Sequence, residues 1–271
     1  MAPLENRSRE SNAGSRRLTD AKSDRRATIF ITIRDRSPMS AEHDVLHELL
    51  AGNERHVESL PDDYFSAVQT GQQPDVVTIC CSDSRVPQER MWGVDDPGSV
   101  FTPSNIGNQV WDVDDGERIV DGGMLYPIHH AGTDVAAVVG HTGCGAVTAA
   151  YQVATGGDRP GPRGVDKWVE LLVPVVEDAL ESDLVDAEAD EETVINQLVE
   201  YNVDRQARFL READEIPDDV DVYGFVYDFQ GVYGNEHGRT YLVNVNGETD
   251  PDAIAELIPE EYATATDSLL Y

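Results

Sequence analysis

Two short apolar runs, at 75–81 and 134–140, constrain the fold of this chain more than any other feature of its sequence. Both are rich in β-branched residues and are bounded by polar or turn-forming residues, so each predicts a buried strand. Helical patterns occupy 122–132, 165–180 and 191–212. Because strands alternate with helices, we expect an α/β fold with a mainly parallel β-sheet flanked by helices.

The remaining elements have weaker signals. Three further strands are predicted at 99–102, 220–227 and 240–245, and no internal repeat is visible. Near the start, Ser40 is a suitable N-cap for a helix over about residues 40–60. This helix carries an apolar stripe at helical spacing. The stripe consists of Val45, Leu46, Leu49 and Leu50.

The charge balance restricts the possible partners. The 271 residues include 20 Lys and Arg against 52 Asp and Glu, a net charge of −32, and 40% hydrophobic residues support a packed core. Nucleic acids and anionic membranes attract basic surfaces, so we expect neither as a partner. Only Lys22 and Lys167 are lysines. This composition predicts a salt-adapted, halophilic protein. The alternative is an acidic protein from a mesophile, which works at an ordinary salt concentration.

Residues 1–38 differ in composition from everything that follows. They hold nine Lys or Arg and five Asp or Glu, which leaves a net charge of −36 on residues 39–271. We predict that 1–38 is disordered or is a non-native N-terminal extension, and that the native start is Met39. Residues 39–271 are predicted to form a single domain.

The sequence favours a cytoplasmic location. The apolar run at 27–33 lacks a small-residue cleavage site, and no run approaches the roughly 20 residues of a membrane helix. Three cysteines do not form a disulfide framework, and they fit a reducing compartment better.

Three residues of metal-ligand type follow the two main strands. Cys81 ends the first strand, His141 follows the second, and Cys144 comes three residues later. Loops at the carboxyl ends of parallel strands meet at one edge of the sheet. Two thiolates and one imidazole suit zinc, and three protein ligands leave the open fourth position of a catalytic site. Cys80 alternates to the other face of its strand and is predicted to lie in the core.

The surrounding motifs resemble those of the β-carbonic anhydrase family. They are VTICCSDSRVP at 77–87, NIGN at 105–108 and VGHTGCGA at 139–146, and the similarity covers roughly 72–149. The resemblance implies that Cys81, His141 and Cys144 bind Zn²⁺. It also implies a parallel sheet with helices and an obligate dimer, in which the N-terminal helix packs on the partner.

The resemblance also assigns roles around the metal. Asp83 and Arg85 match a catalytic carboxylate–guanidinium pair, and Asp83 is a possible fourth zinc ligand in a closed state. Five further residues match substrate-binding positions of the family. One supplies a glutamine amide, one a backbone N–H, and three line an apolar pocket. These positions are Gln72, Gly145, Phe101, Ile106 and Tyr126.

The chain departs from the family pattern at two positions. Ser104 stands where the family usually has Arg or Lys, which leaves the chemistry of the subunit interface open. Thr78 stands where members with a regulatory bicarbonate site have Trp. We therefore expect no such regulatory site.

The resemblance implies reversible hydration of carbon dioxide to bicarbonate and a proton through a zinc-bound hydroxide. The expected assembly is a homodimer or a dimer-based higher oligomer. One alternative is a carbon disulfide or carbonyl sulfide hydrolase on the same scaffold, because the ligand set does not separate these substrates. Less favoured are a non-catalytic zinc-binding domain, since no fourth Cys or His is nearby, and a dithiol redox protein, since there is no Cys-x-x-Cys.

Overall fold

The computed structural model describes residues 41–271. The predictions for residues 1–38, for Met39 as the native start and for Ser40 as an N-cap lie outside this range. The described residues divide into two units, 41–60 and 61–271. The single catalytic domain over 39–271 stays a prediction.

The described part of the first unit is one helix, α1 (Ala41–Ser59), which confirms the predicted N-terminal helix. Its apolar stripe is exposed in a single chain, with Leu49 67% and Leu50 57% accessible. Val45, Leu46 and Val57 are also exposed. An amphipathic helix buries such a stripe when it has a partner surface.

The second unit contains an α/β arrangement. Its helices and strands, in chain order, are β1 (Val76–Cys81), α2 (Gln88–Met91), β2 (Val100–Phe101), β3 (Ser104–Asn105), β4 (Trp111–Asp114), β5 (Glu117–Val120), α3 (Gly122–His130), β6 (Val135–His141), α4 (Gly145–Ala154), α5 (Arg163–Glu181), α6 (Glu191–Glu212), β7 (Asp221–Asp228), β8 (Arg239–Val245) and α7 (Pro251–Leu257), followed by a 3₁₀ turn at Glu260–Ala265.

The main sheet has the order β2-β1-β6-β7-β8, and β3 also pairs with β1. All pairs are parallel except β7 with β8, which is antiparallel. Strands β1 and β6 are buried along nearly their whole length on both faces, as expected for parallel strands covered by helices. The predicted fold class, α/β with a mainly parallel sheet, is confirmed.

The β4–β5 hairpin was not predicted, although its signal is in the sequence. Asp114 pairs with Glu117, so Asp115 and Gly116 form a two-residue turn, and both have positive φ (49° and 89°). Asp-Gly is a preferred sequence for this kind of turn because it tolerates positive φ at both positions. Helix α4 was also missed. None of the described helices is long and apolar enough to cross a membrane.

Candidate metal centre

The pairing of β1 with β6 brings two of the predicted ligands together. Cys80 of β1 is opposite Val139 of β6, so the last residues of the two strands, Cys81 and His141, reach the same edge of the sheet. The chain then turns through Thr142 and Gly143 and begins α4, with Cys144 at its N-cap. Two adjacent parallel strands and one helix start therefore position all three side chains.

The three ligand atoms form a compact buried cluster. The Sγ atoms of Cys81 and Cys144 and a ring nitrogen of His141 all lie within 4.8 Å of one another. The two sulfurs are 3.9 Å apart. All three residues are at most 7% exposed. The predicted ligands are thus assembled within one chain.

The hydrogen bonding of His141 fits a metal ligand. Its Nδ1 is 2.9 Å from the carbonyl oxygen of Thr142, which only accepts, so Nδ1 carries the proton and donates. The other ring nitrogen, Nε2, is buried and has no hydrogen-bond partner. A buried lone pair without a partner is costly, and a metal between it and the two sulfurs would satisfy it. This donor set fits zinc.

The three cysteines differ in the pKa of their thiols. The pKa of Cys81 is lowered to about 5, chiefly because the Cys144 thiol donates a hydrogen bond to it. The Gly107 N–H also donates to Cys81 Sγ at 3.4 Å. The pKa of Cys144 is raised because it is the donor of this pair and is buried. Burial raises the pKa of Cys80 to about 12, as expected of a core thiol.

Asp83 and Arg85 form a two-bond ion pair beside this cluster. The guanidinium Nε and Nη2 of Arg85 donate to the two carboxylate oxygens of Asp83 at 2.8 and 2.7 Å. These bonds are the main reason that the pKa of Asp83 is lowered to about 2. Asp83 Oδ2 is also 3.6 Å from His141 Nε2. A charged carboxylate therefore lies next to the metal ligands.

The sequence analysis missed Phe229, which contacts both groups. Its ring stacks on the His141 imidazole, with centroids 5.9 Å apart, and the Arg85 Cζ lies 4.5 Å from the ring centroid. A signal was available, because Phe229 directly follows β7, a strand parallel to β6. Residues just after such a strand reach the same edge of the sheet.

The predicted pocket residues are more exposed than the ligands. Gln72 and Tyr126 line a common cavity of about 580 Å³, whose lining does not include the three ligand residues. The Phe101 and Tyr126 rings are neighbours, with centroids 6.1 Å apart, and Ile106 is half-buried. Gly145 is exposed and is the first residue of α4, where the helix leaves N–H groups free.

Ser104, where the chain departs from the family pattern, lies in β3, which pairs with β1. It is exposed and accepts a hydrogen bond from the Ser82 hydroxyl at 3.2 Å. Ser82 directly follows the ligand Cys81, so a neutral contact occupies the place where a basic side chain is usual.

Comparisons with known proteins agree with this geometry. A carbonic anhydrase family model matches residues 76–233, more than half of the chain. The carbonic anhydrase of Emericella nidulans is 29% identical over 185 residues, which cover 68% of this chain and 75% of that protein. Carbonic anhydrase 2 of Mycobacterium tuberculosis is 31% identical over 134 residues, which cover 47% of this chain and 61% of that protein.

A solved structure gives the same result for the fold. One of two tetrameric β-carbonic anhydrases from Sordaria macrospora superposes with a TM-score of 0.59 at 25% identity, over 75% of this chain and 97% of that chain. The chain belongs to the carbonic anhydrase family, and its parallel sheet and Cys–His–Cys cluster are those of the β class. It is a zinc-dependent carbonate dehydratase, which reversibly hydrates carbon dioxide to bicarbonate.

Proposed function

We propose that Cys81, His141 and Cys144 hold the catalytic zinc and that Asp83 and Arg85 control the attacking water. The ligand cluster within 4.8 Å, with Asp83 Oδ2 3.6 Å from His141 Nε2, carries this proposal. Carbon dioxide has no charge to bind, so the reaction depends on a strong nucleophile. When bound, zinc lowers the pKa of a water molecule from 15.7 to about 7, which supplies hydroxide near neutral pH.

Asp83 accepts a hydrogen bond from the reacting water and orients it. An ionised carboxylate can only accept, and with a pKa lowered to about 2 this group stays ionised at neutral pH. Arg85 holds both carboxylate oxygens of Asp83, which fixes the direction of this acceptor. The ion pair also opposes movement of the carboxylate into the open metal position.

Carbon dioxide enters an apolar region formed by Phe101, Ile106 and Tyr126. The Gln72 amide and the Gly145 N–H bind the oxygens of the substrate and of bicarbonate. The helix-start position of Gly145, directly after Cys144, supports its role, and the neighbouring rings of Phe101 and Tyr126 support the apolar region.

Zinc analysis combined with substrate comparison tests this proposal. We expect one zinc per chain and carbon dioxide hydration far faster than sulfide release from carbon disulfide or carbonyl sulfide. Faster sulfide release would identify the hydrolase alternative, and zinc without either activity would identify a non-catalytic domain.

We further propose that the protein is a homodimer, or a dimer-based oligomer, in which α1 packs on the partner subunit. The exposed stripe of Leu46, Leu49 and Leu50 supports this assembly, because an amphipathic helix buries such a face against a partner surface. Tyr126 is 51% exposed, which leaves room for a partner surface at the pocket.

We also propose that the acidic composition is an adaptation to concentrated salt, and that the protein is cytoplasmic, which its three free cysteines support. With 20 basic and 52 acidic residues the chain repels itself unless salt screens the charge. Residues 1–38 add no site residue in this proposal. Their deletion is expected to leave zinc content, assembly and hydration unchanged, and a truncated chain that no longer assembles would give this segment a role on the partner.

A further inference from the structure

Phe229 lies between a metal ligand and the catalytic ion pair, and none of the roles above uses it. One contact of its ring is the His141 imidazole, at 5.9 Å between centroids and an interplanar angle of 28°. The other is the Arg85 guanidinium, whose Cζ is 4.5 Å from the ring centroid. This distance is within the range of a cation–π interaction.

Arg85 has few other restraints. Its in-plane N–H groups bind Asp83 twice and the carbonyl oxygen of Gly143 once, at 3.2 Å. These bonds leave the two flat faces of the guanidinium free, and the side chain is 47% exposed. Water competes for the in-plane bonds of an exposed ion pair. The Phe229 ring lies against one face of Arg85.

Phe229 is itself fixed firmly enough to serve as a support. Its backbone N–H donates to the Thr142 hydroxyl at 3.3 Å, and its carbonyl oxygen is 2.9 Å from Nδ1 of His237. The preceding residue, Asp228, is fully buried and its carboxylate accepts three backbone N–H bonds from the same loop. The donors are Gln230, Gly231 and Tyr233.

We propose that Phe229 is a positioning residue that holds Arg85 on Asp83 through the face of its ring. The inference rests on the proposed role of the Asp83–Arg85 pair. Without the ring, Arg85 spends more time in solvent, and Asp83, already 3.6 Å from His141 Nε2, is less restrained from moving toward the metal position.

The test compares zinc-loaded wild-type protein with Phe229→Leu and Phe229→Tyr. Leucine keeps an apolar side chain without a π face, and tyrosine keeps the face as the matched control. Hydrogen exchange of the Arg85 Nε–H, measured by NMR and assigned with Arg85→Lys, reports release from Asp83. We expect exchange about two- to fivefold faster in Phe229→Leu, from the usual strength of an exposed cation–π contact, and wild-type exchange in Phe229→Tyr.

Hydration kinetics separate this inference from the proposed function. We expect kcat/KM in Phe229→Leu to fall by a similar factor with zinc content unchanged. Equal Arg85 exchange in the leucine variant and the wild type would overturn the proposal. Faster exchange with unchanged kcat/KM would support the ring contact and contradict the catalytic role of the ion pair.

A graded series covers the case in which Phe229→Leu does not fold. Phenylalanine with increasing ring fluorination at position 229 keeps the shape of the ring while weakening its negative face. Arg85 exchange is expected to rise along this series. A flat series would overturn the proposal.

Discussion

The metal ligands and the pocket residues differ in how completely one chain assembles them. Cys81, His141 and Cys144 are buried, and their positions are set by adjacent strands and a helix start. In contrast, Tyr126 is 51% exposed and Gln72 is exposed. The difference fits our proposals that one chain holds the zinc by itself and that a partner subunit covers the exposed pocket residues. Mutations should therefore separate zinc content from activity.

Loss of a metal ligand is the largest expected effect. Cys81→Ser, His141→Ala and Cys144→Ser are each expected to abolish hydration and to lower zinc content strongly, because a three-ligand site loses one of its donors. Metal analysis of the purified variants checks this. Cys80→Ala is the matched control, since Cys80 is adjacent and buried but has its pKa raised to about 12 as a core thiol. Full zinc occupancy in all three ligand variants would refute the assignment.

Asp83→Asn tests whether the ion pair acts in catalysis without holding the metal. The change removes the charge and the acceptor-only character of the side chain but keeps its size. Zinc is expected to remain, and the hydration rate is expected to fall by about 10²–10⁴-fold, the range for a positioned proton acceptor. Asp112→Asn is the control, because Asp112 is also ion-paired, at 3.0 Å to Lys167.

The pH dependence of this pair follows from the sign of the pKa shift. The pKa of Asp83 is lowered from 3.8 to about 2, so the pair's contribution to stability is present above about pH 4 and is lost as pH falls toward 2. Asp83 therefore stays ionised from pH 6 to 9. Asp83→Asn should be slow throughout this range, and wild-type rates with zinc retained would leave Asp83 as a structural loop residue.

Substitution in the exposed stripe of α1 is expected to affect assembly but not zinc. Leu49→Glu puts a charge where we propose the partner packs, and one buried leucine contributes about 1.5–3 kcal/mol. The dimer dissociation constant should rise at least about tenfold, measured by sedimentation, and activity should fall at low protein concentration. Glu48→Ala, on an adjacent exposed position of the same helix, is the control. An unchanged dimer in Leu49→Glu would place the interface elsewhere.

Dilution of salt is the mildest of these perturbations. The Debye length rises from about 3 Å at 1 M salt to about 10 Å at 0.1 M, which restores repulsion between acidic surfaces. We expect the oligomer to loosen and the melting temperature to fall at low salt, while zinc remains bound. Identical stability and assembly between 0.1 and 2 M salt would show that the acidic composition is not a salt adaptation.

The sequence by itself predicted the two main strands and the three residues, Cys81, His141 and Cys144, that the structure places together to bind a metal. Buried parallel strands produce continuous apolar runs, which made the two strands recognisable. Because loops meet at the carboxyl edge of such strands, Cys81 was predicted to lie near His141 and Cys144. Such signals are local, because each depends on a few neighbouring residues. The Asp-Gly turn of the β4–β5 hairpin was equally local and was overlooked.

Only the tertiary structure decided which side chains surround the metal site. The contact of Phe229 with Arg85 and His141 joins three distant segments of the chain. The unpartnered Nε2 of His141 and the exposure of Tyr126 likewise depend on what packs around them. No periodicity encodes these contacts, because they arise where the ends of β1, β6 and β7 meet in space. Sequence spacing therefore predicts the ligands, and packing determines how the groups around them are held.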